Sequence, residues 1–435
     1  MGPDSQANRL FDEVEPGERA ELCRAAPAGA GGAWLGALLG DLIDRRLPGA
    51  GCRWLEQALT FLDAPAAGEA VTAGVAVVSL DAEGRRVTLD CRCDGAGGQR
   101  LLQGRVVVQP AAARMHAPAG AGGGPPHFLH DLAVRAAGFG PLRTGVVHPV
   151  DAAALQGMAD AAAAGLIDPV IYGPRHKVDA AAAEAGIDIG GYGRVDTEHS
   201  HAAAAMAVAA VRDGGLAALM KGSLHTDELM GAIVDREAGL ATDRRVSHAF
   251  CLDVPLYPRP LFVADAAINI APDLMQKRDI VRNTVDLAHA VGIVRPKVAI
   301  LAAVETVTPR MSATLDAAAL CKMADRGQIA GADLDGPLAF DNAVSPAAAR
   351  SKHIASPVAG LADILIVPDI EAGNMVAKQL EYLAGAEAAG LVLGARVPVV
   401  LTSRADGPAA RLASCALAVM LAHARAEGLL ARPLD

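Results

Sequence analysis

From Thr144 to Leu401 the chain repeats one pattern: a short apolar run, a turn, then a stretch of helical spacing. Thr144 to His148, Pro169 to Tyr172, Leu216 to Met220, Val298 to Leu301, Ile364 to Val367, Leu391 to Leu393 and Val397 to Leu401 are the runs. Such runs suit strands buried on both faces of a parallel sheet. Helical spacing over Ala152 to Leu166, Arg175 to Ala185 and His201 to Val211 supplies crossovers. This alternation predicts an α/β fold, in which ligands collect at the carboxyl ends of the strands. Residues 127–435 are many for one such sheet, so two α/β lobes around a cleft are expected. No repeat of fixed period is present.

The first part of the chain reads differently. Pro110 to His127, PAAARMHAPAGAGGGPPH, has neither helical nor strand periodicity and predicts an interdomain linker. The predicted organisation is therefore a domain over 1–110, a linker over 111–126 and a second domain over 127–435. Within the first, Trp34, Leu35, Leu38, Leu39, Leu42 and Ile43 recur at helical spacing. From Arg86 to Asp94, Val87, Leu89, Cys91 and Cys93 alternate with polar residues. Turn chemistry at residues 81–84 and 95–98 separates neighbouring strands. One helix followed by an antiparallel meander is an α+β module.

Composition narrows the function. Lys plus Arg number 39 against 49 Asp plus Glu, a net charge of −10, which argues against a nucleic-acid or anionic-membrane binder. No apolar run reaches the length of a bilayer span. The first residues, MGPDSQANRLFDEVEPGE, lack the basic and apolar regions of a secretory signal. Seven cysteines without a C-x-x-C predict reduced thiols and a cytoplasmic location. Cys91 and Cys93 fit same-face strand neighbours, and no second ligand pair makes them a metal site.

Three strand ends carry polar residues suited to chemistry. Lys221-Gly222-Ser223-Leu224-His225-Thr226-Asp227-Glu228 follows the run Leu216 to Met220. Free amides at a helix start, with the Ser223 and Thr226 hydroxyls and the Lys221 charge, would cradle a phosphate. The same residues also read as ordinary capping, with Thr226 as N-cap and two acids on the helix dipole. Thr402-Ser403-Arg404-Ala405-Asp406-Gly407 follows the last run. Here Arg404 suits bidentate phosphoryl binding, Ser403 an oxyanion hydrogen bond and Asp406 proton transfer. The alternative is a surface turn with an N-capping aspartate. Asp369-Ile370-Glu371-Ala372-Gly373-Asn374 lines a cleft or caps a helix. At His199-Ser200-His201, Ser200 as an N-cap is preferred over a metal site. His225 and His248 read as packing or supporting residues.

The stretches KGSLHTDELM, DRRVSHAF, YPRPLFVADAAINIAPDL, KVAILAAVETVTPRMSATLDAAALCKMADRGQI, DGPLAFDNAV, ADILIVPDIEAGNMVAKQLEYLAGA and VPVVLTSRAD together resemble the phosphate acetyl/butyryltransferase family over nearly all of residues 127–435. The resemblance implies reversible acyl transfer between coenzyme A and inorganic phosphate, with no metal and no cofactor beyond coenzyme A as substrate. It also implies a fold like that of isocitrate and isopropylmalate dehydrogenases. One lobe would join about 127–250 to about 395–435, and the other would span about 251–394. By position, Ser403 would hydrogen-bond the transition state, Arg404 would bind phosphate or acyl phosphate, and Lys221, Ser223 and Thr226 would line the site. Arg245 is a further candidate anion contact. Acyl-CoA and phosphate are the implied partners, and a homo-oligomer the expected assembly.

One departure stands out. Acetyl-type members carry S-R-G-C-S and a distal acid proposed as base for the thiol. Here the run is SRADGPAARLAS, with Ala410 seven residues past Ser403 and Asp406 as the nearby carboxylate. Either Asp406 takes the role or the partly ionised thiol needs no base. The spellings KGSLHTDEL and SRAD lean towards the butyryl-like branch without naming the acyl chain.

The first 110 residues resemble a MaoC-type hot-dog hydratase domain through FDEVEPGE, RLPGAGCRWLEQALTFLDAPAAGEAVTAGVAVV and RRVTLDCRC. That family's Asp…Asn-Pro…His stretch should lie between Glu21 and Trp34, where only LCRAAPAGAGGA stands. The expectation is no hydratase activity and a role in folding, oligomer contact or acyl-CoA docking. A non-catalytic acyl-CoA-binding protein, a bifunctional hydratase and acyltransferase, and a dehydrogenase on the same fold are the alternatives. For the last, Asp265, Asp273, Asp279 and Asp286 read as caps and solvated helix faces instead of metal ligands.

Overall fold

The computed structural model describes residues 8–27, 29–49, 51–112, 128–401 and 406–430. Most of the predicted linker lies outside these residues. The chain divides into two compact units, Met1–Gly124 and Pro125–Asp435.

The first unit contains β1 (Arg19–Ala25), α1 (Gly32–Arg45), β2 (Arg53–Phe61), β3 (Ala70–Asp81), β4 (Arg86–Asp94) and β5 (Arg100–Gln109). The strands form one antiparallel sheet in the order β1-β3-β4-β5-β2. Period-two alternation sends Val87, Leu89, Cys91 and Cys93 of β4 into the core. Helical spacing sends Leu35, Leu38, Leu39, Leu42 and Ile43 of α1 into that same core. Burial pushes the Cys91 and Cys93 thiols up to about 12, so both remain protonated packing groups.

The second unit opens with α2 (Phe128–Ala137), β6 (Leu142–Val147), α3 (Ala152–Ala163), β7 (Ile167–Gly173), α4 (Arg175–Ala185), β8 (Gly193–Asp196), α5 (Ser200–Arg212), β9 (Ala218–Lys221) and α6 (Thr226–Val234). It continues with β10 (Ser247–Asp253), β11 (Leu261–Ala264), α7 (Leu274–Ala290), β12 (Lys297–Leu301), α8 (Ser312–Asp325), β13 (Asp333–Leu338), α9 (Phe340–Val344), α10 (Pro346–Ser351) and β14 (Ile364–Ile366). It closes with α11 (Ile370–Tyr382), β15 (Glu387–Leu393), β16 (Val399–Val400) and α12 (Pro408–Ala426). All eleven strands join one mixed sheet, β13-β12-β14-β11-β10-β15-β16-β9-β6-β7-β8. This corrects the purely parallel expectation. β16, β9, β6, β7 and β8 are parallel, as are β11, β14, β12 and β13. Antiparallel pairings at β10 and β15 reverse direction between the two sets. β10 and β15 stand between the two sets, and the two-residue β16 is the end strand of its set, pairing with β15.

Alternating side chains feed both faces of this sheet. On one face a single core runs through α2, α3, α4, α7, α8 and α12 and takes Val146, Ile171, Met220, Ile364 and Val400. On the other face the core is broken in two. Val147, Tyr172 and Leu219 pack under α5 and α6, while Val263, Ala299 and Leu365 pack under α9, α10 and α11. A gap between α6 and α11 follows directly.

Local capping differs from the sequence reading in places. His199, not Ser200, caps α5, its Nδ1 accepting the Ala202 amide at 3.1 Å. Of the four aspartates read as caps or solvated, Asp273 caps α7, but Asp265, Asp279 and Asp286 are buried and bonded. Asp265 accepts the Ala267 and Ile268 amides, Asp279 the Arg245 amide, and Asp286 pairs with Arg244.

Buried Asp253 accepts the Leu129 amide at 2.8 Å at the start of α2. Burial, aided by Glu387 and Asp131, raises its pKa from 3.8 to about 7. The unfolded carboxyl ionises first, so this proton stabilises the fold below the ordinary aspartate range and that stabilisation is lost as pH rises through about 7. Asp253→Asn keeps an acceptor without the charge. It is expected to flatten the fall in urea midpoint between pH 5 and pH 8, and an unchanged slope would remove Asp253 as its source.

Candidate functional site

The parallel pairing of β16 with β9 sets the geometry. Val399 lies opposite Leu219 and Val400 opposite Met220. Lys221 and Leu401 therefore leave neighbouring strands at one edge of the sheet. β6 pairs with β9 on its other side, Val147 opposite Lys221. Two loops thus emerge together, 148–151 and 222–225, and Leu401 ends beside them.

The first two loops are tied tightly. The Gly222 amide donates to Val147 O and the Ser223 amide to His148 O, each at 2.9 Å. The Val150 amide donates to Ser223 Oγ at 3.0 Å. A Cβ on Gly222 would fall 2.4 Å from Val147 O and 2.7 Å from Pro149 N, so no larger residue fits this approach. His148 sits in the left-handed region at φ +56°, a strained conformation for a side-chain-bearing residue. Its imidazole is buried, and burial with the Lys177 charge lowers its pKa, favouring the neutral ring.

A cleft of about 390 Å³ opens here, lined by Lys221, Gly222, the first turn of α3, Glu184 and Arg411. Arg411 Nη1 donates to Ala153 O at 2.8 Å, and its guanidinium enters no ion pair among the described residues. Asp151 caps α3 through the Ala154 amide. The lining thus holds two cations, Lys221 and Arg411, two acids, Asp151 and Glu184, and a helix start whose dipole favours an anion. Arg411 escaped the sequence reading. Its signal was a cation in the first turn of a helix, where the dipole disfavours positive charge.

A second cleft, of about 760 Å³, fills the gap between α6 and α11. Thr226, Leu401, Ala266, Ala267, Ile370, Glu371, Asn374 and Met375 line it. α11 seats hard on the 265–267 segment. A Cβ on Gly373 would meet Asp265 O at 2.4 Å, and Asn374 Nδ2 donates to Ala266 O at 3.3 Å. Asp369 caps α11 through the Ala372 amide, so the capping reading of that turn holds.

The capping readings at the other two turns do not. Thr226 is the first residue of α6, and His225 occupies the cap without a side-chain bond. The Thr226 hydroxyl is thus not spent on capping. Gly407 caps α12 with Pro408 at its first turn, so Asp406, half-buried, is not the N-cap. Ser403 and Arg404 lie outside the described residues.

Arg245 does not join Lys221 and Ser223. β10 begins at Ser247, opposite Leu393, whereas Leu401 extends past the pairing of Val400 with Leu391. The register therefore carries Arg245 past the Leu393 end of β15, while Leu401 lies beside Gly390, farther along that strand. Arg245 Nε donates to Asn269 Oδ1 at 2.7 Å, and Asn269 Nδ2 donates to Asp265 at 2.6 Å. His248 is buried on β10 against Phe250, with a pKa lowered by burial to about 4, and is a neutral packing group.

Residues 200–419 match the family model described as phosphate acetyl/butaryl transferase. The chain is 57% identical over 285 residues to a phosphate acetyltransferase of Rhizobium meliloti, covering 66% of this chain and 90% of that protein. It is 40% identical over 272 residues to a phosphate butyryltransferase of Clostridium acetobutylicum, covering 62% and 90%. Among solved structures, a branched-chain phosphotransacylase from Enterococcus faecalis aligns with a TM-score of 0.58 at 28% identity, over 65% of this chain and 99% of that one.

Proposed function

The chain belongs to the phosphate acetyl/butyryltransferase family, and on that premise we propose how its residues move an acyl group between coenzyme A and inorganic phosphate. It is an acyltransferase, and acyl-CoA and phosphate are its substrates. The observation that supports the site assignment is the parallel β16–β9 pairing, which sets Leu401 beside the strand that leads into the glycine–serine turn.

In the forward direction a phosphate oxygen attacks the thioester carbonyl, and a tetrahedral species with an oxyanion forms. Ser403 donates a hydrogen bond to that charge. Arg404 holds the phosphate through paired N–H groups, with Lys221 and Arg411 adding positive potential. The C–S bond then breaks, acyl phosphate forms, and the thiolate leaves and takes up a proton, for which Asp406 is the nearby group. Ser223 and Thr226 line the site, Ser223 by holding the two loops in register. Arg245, fixed by Asn269, is assigned to anion attraction at the other edge. The broken core on one face supports two lobes, about 127–250 with 395–435 and about 251–394, closing on the cleft as in isocitrate and isopropylmalate dehydrogenases. No described helix is long and apolar enough to cross a membrane. A cytoplasmic homo-oligomer remains the reading.

Thiol release from acetyl-CoA and butyryl-CoA, with and without phosphate, tests this. Release that depends on phosphate is expected. Binding without turnover would favour a non-catalytic acyl-CoA-binding protein, which the alanine at position 410 makes the specific rival.

For the first unit, the helix-on-antiparallel-sheet architecture supports the truncated MaoC-type hot-dog reading over 1–110, joined by a linker over 111–126. No histidine stands before His116, so no Asp–His pair exists there to activate water for an enoyl thioester. The full chain is expected to leave crotonyl-CoA unhydrated. Loss of enoyl absorbance above the enzyme-free rate would make the protein bifunctional.

A further inference from the structure

The geometry points to the second cleft as the pocket for the acyl chain, with Ala267 and Met375 setting the chain length it accepts. The proposal rests on the acyltransferase reading and adds the part of the substrate that neither family membership nor the site loops specify.

The two clefts differ in chemistry. The one beside Lys221 and Arg411 sets two cations and the start of α3 against Asp151 and Glu184, and so offers a phosphorylated group partners that the other lacks. The one between α6 and α11 carries Ala266, Ala267, Ile370, Met375 and Leu401, with no cation among its lining residues. Its charged wall is Glu371, which repels phosphate and nucleotide anions and leaves a neutral aliphatic group as the fitting occupant. Its polar lining groups, the Thr226 hydroxyl and the Asn374 amide, are few, as in pockets that bind mainly by apolar contact. Leu401 and Thr226 form part of its wall, and both stand at the strand ends that also carry Lys221, so the cavity opens beside the turn assigned to phosphate.

Size decides between acetyl and longer chains. About 760 Å³ lies well beyond what one methyl group occupies. Two alanines, at 266 and 267, leave that volume open where leucine or phenylalanine would close it. Ala266 is fully buried beneath α11, so Ala267, partly exposed, is the residue free to vary at the floor. Met375, 57% exposed, lines the cleft from α11 and is unbranched and adaptable. The pocket therefore takes propionyl and butyryl groups, and each methylene adds contact that acetyl cannot make.

The test uses the full chain and phosphate-dependent thiol release from acetyl-, propionyl- and butyryl-CoA. Wild type is expected to turn over all three. Ala267→Leu and, from α11, Met375→Trp are expected to lower the ratio of butyryl to acetyl kcat/KM about tenfold or more, as one methylene is worth about ten- to two-hundredfold in such pockets. Met375→Trp sits on an exposed helix face and decides the matter if Ala267→Leu does not fold. A ratio within twofold of wild type in a folded variant, or wild type active on acetyl-CoA alone, overturns the acyl-pocket assignment. Failure to use any thioester with phosphate is a different result, and it sinks the acyltransferase reading instead.

Discussion

Replacing Arg404 with alanine is expected to lower kcat/KM for phosphate by about a hundred- to a thousandfold. The residue follows Ser403 in sequence, three positions after Leu401, and Leu401 ends a strand that pairs with the one leading to Lys221. Its planar fork matches two phosphate oxygens at once, and those bonds strengthen as charge shifts during attack. Lysine keeps the charge but loses the fork, so Arg404→Lys should recover part of the loss. Varying phosphate at saturating acetyl-CoA checks this, with circular dichroism to confirm the fold. Unchanged kinetics would remove Arg404 from the site and leave Lys221 and Arg411 as the phosphate ligands.

Gly222→Ala is expected to be the second largest effect. The new methyl group would meet the backbone of Val147, His148 and Pro149, none of which can swing aside like a side chain. Relief requires the β6 and β9 ends to separate, which breaks the hydrogen bonds donated by the Gly222 and Ser223 amides and shifts Lys221. Overpacking of this kind costs about 1–3 kcal/mol of stability. A shift of about 1 Å in a positioning loop costs about a hundredfold in rate. A lowered melting temperature together with that loss of kcat is the expected pair of readings. Full activity would show that the 222–225 turn is not part of the catalytic geometry.

Much of the architecture was written plainly in the residues. β4 and α4 fall at their predicted bounds because each carries its own signal. β4 alternates strictly, and α4 runs from Pro174 to a left-handed Gly186. The antiparallel turn of β10 and β15 was not legible. A strand buried on both faces has no polar side to mark its direction, so Ser247 to Asp253 reads the same whichever way it runs. Caps shifted by one residue at His199 and His225, where polar residues stand side by side and only backbone geometry chooses between them. The site showed the same division. Local composition pointed to the turns at 221–226 and 402–406, but not to Arg411, Ala267 or Met375, whose roles arise from packing between distant segments.

Across the sheet, β16 pairs through two residues on each side. Every other seam in the second unit has at least three paired positions, and most have four or more. The molecule thus has a crease beside its chemistry. A bend there would disturb fewer ladder hydrogen bonds than one at any other seam of the described residues, and the core on the far face runs unbroken behind it.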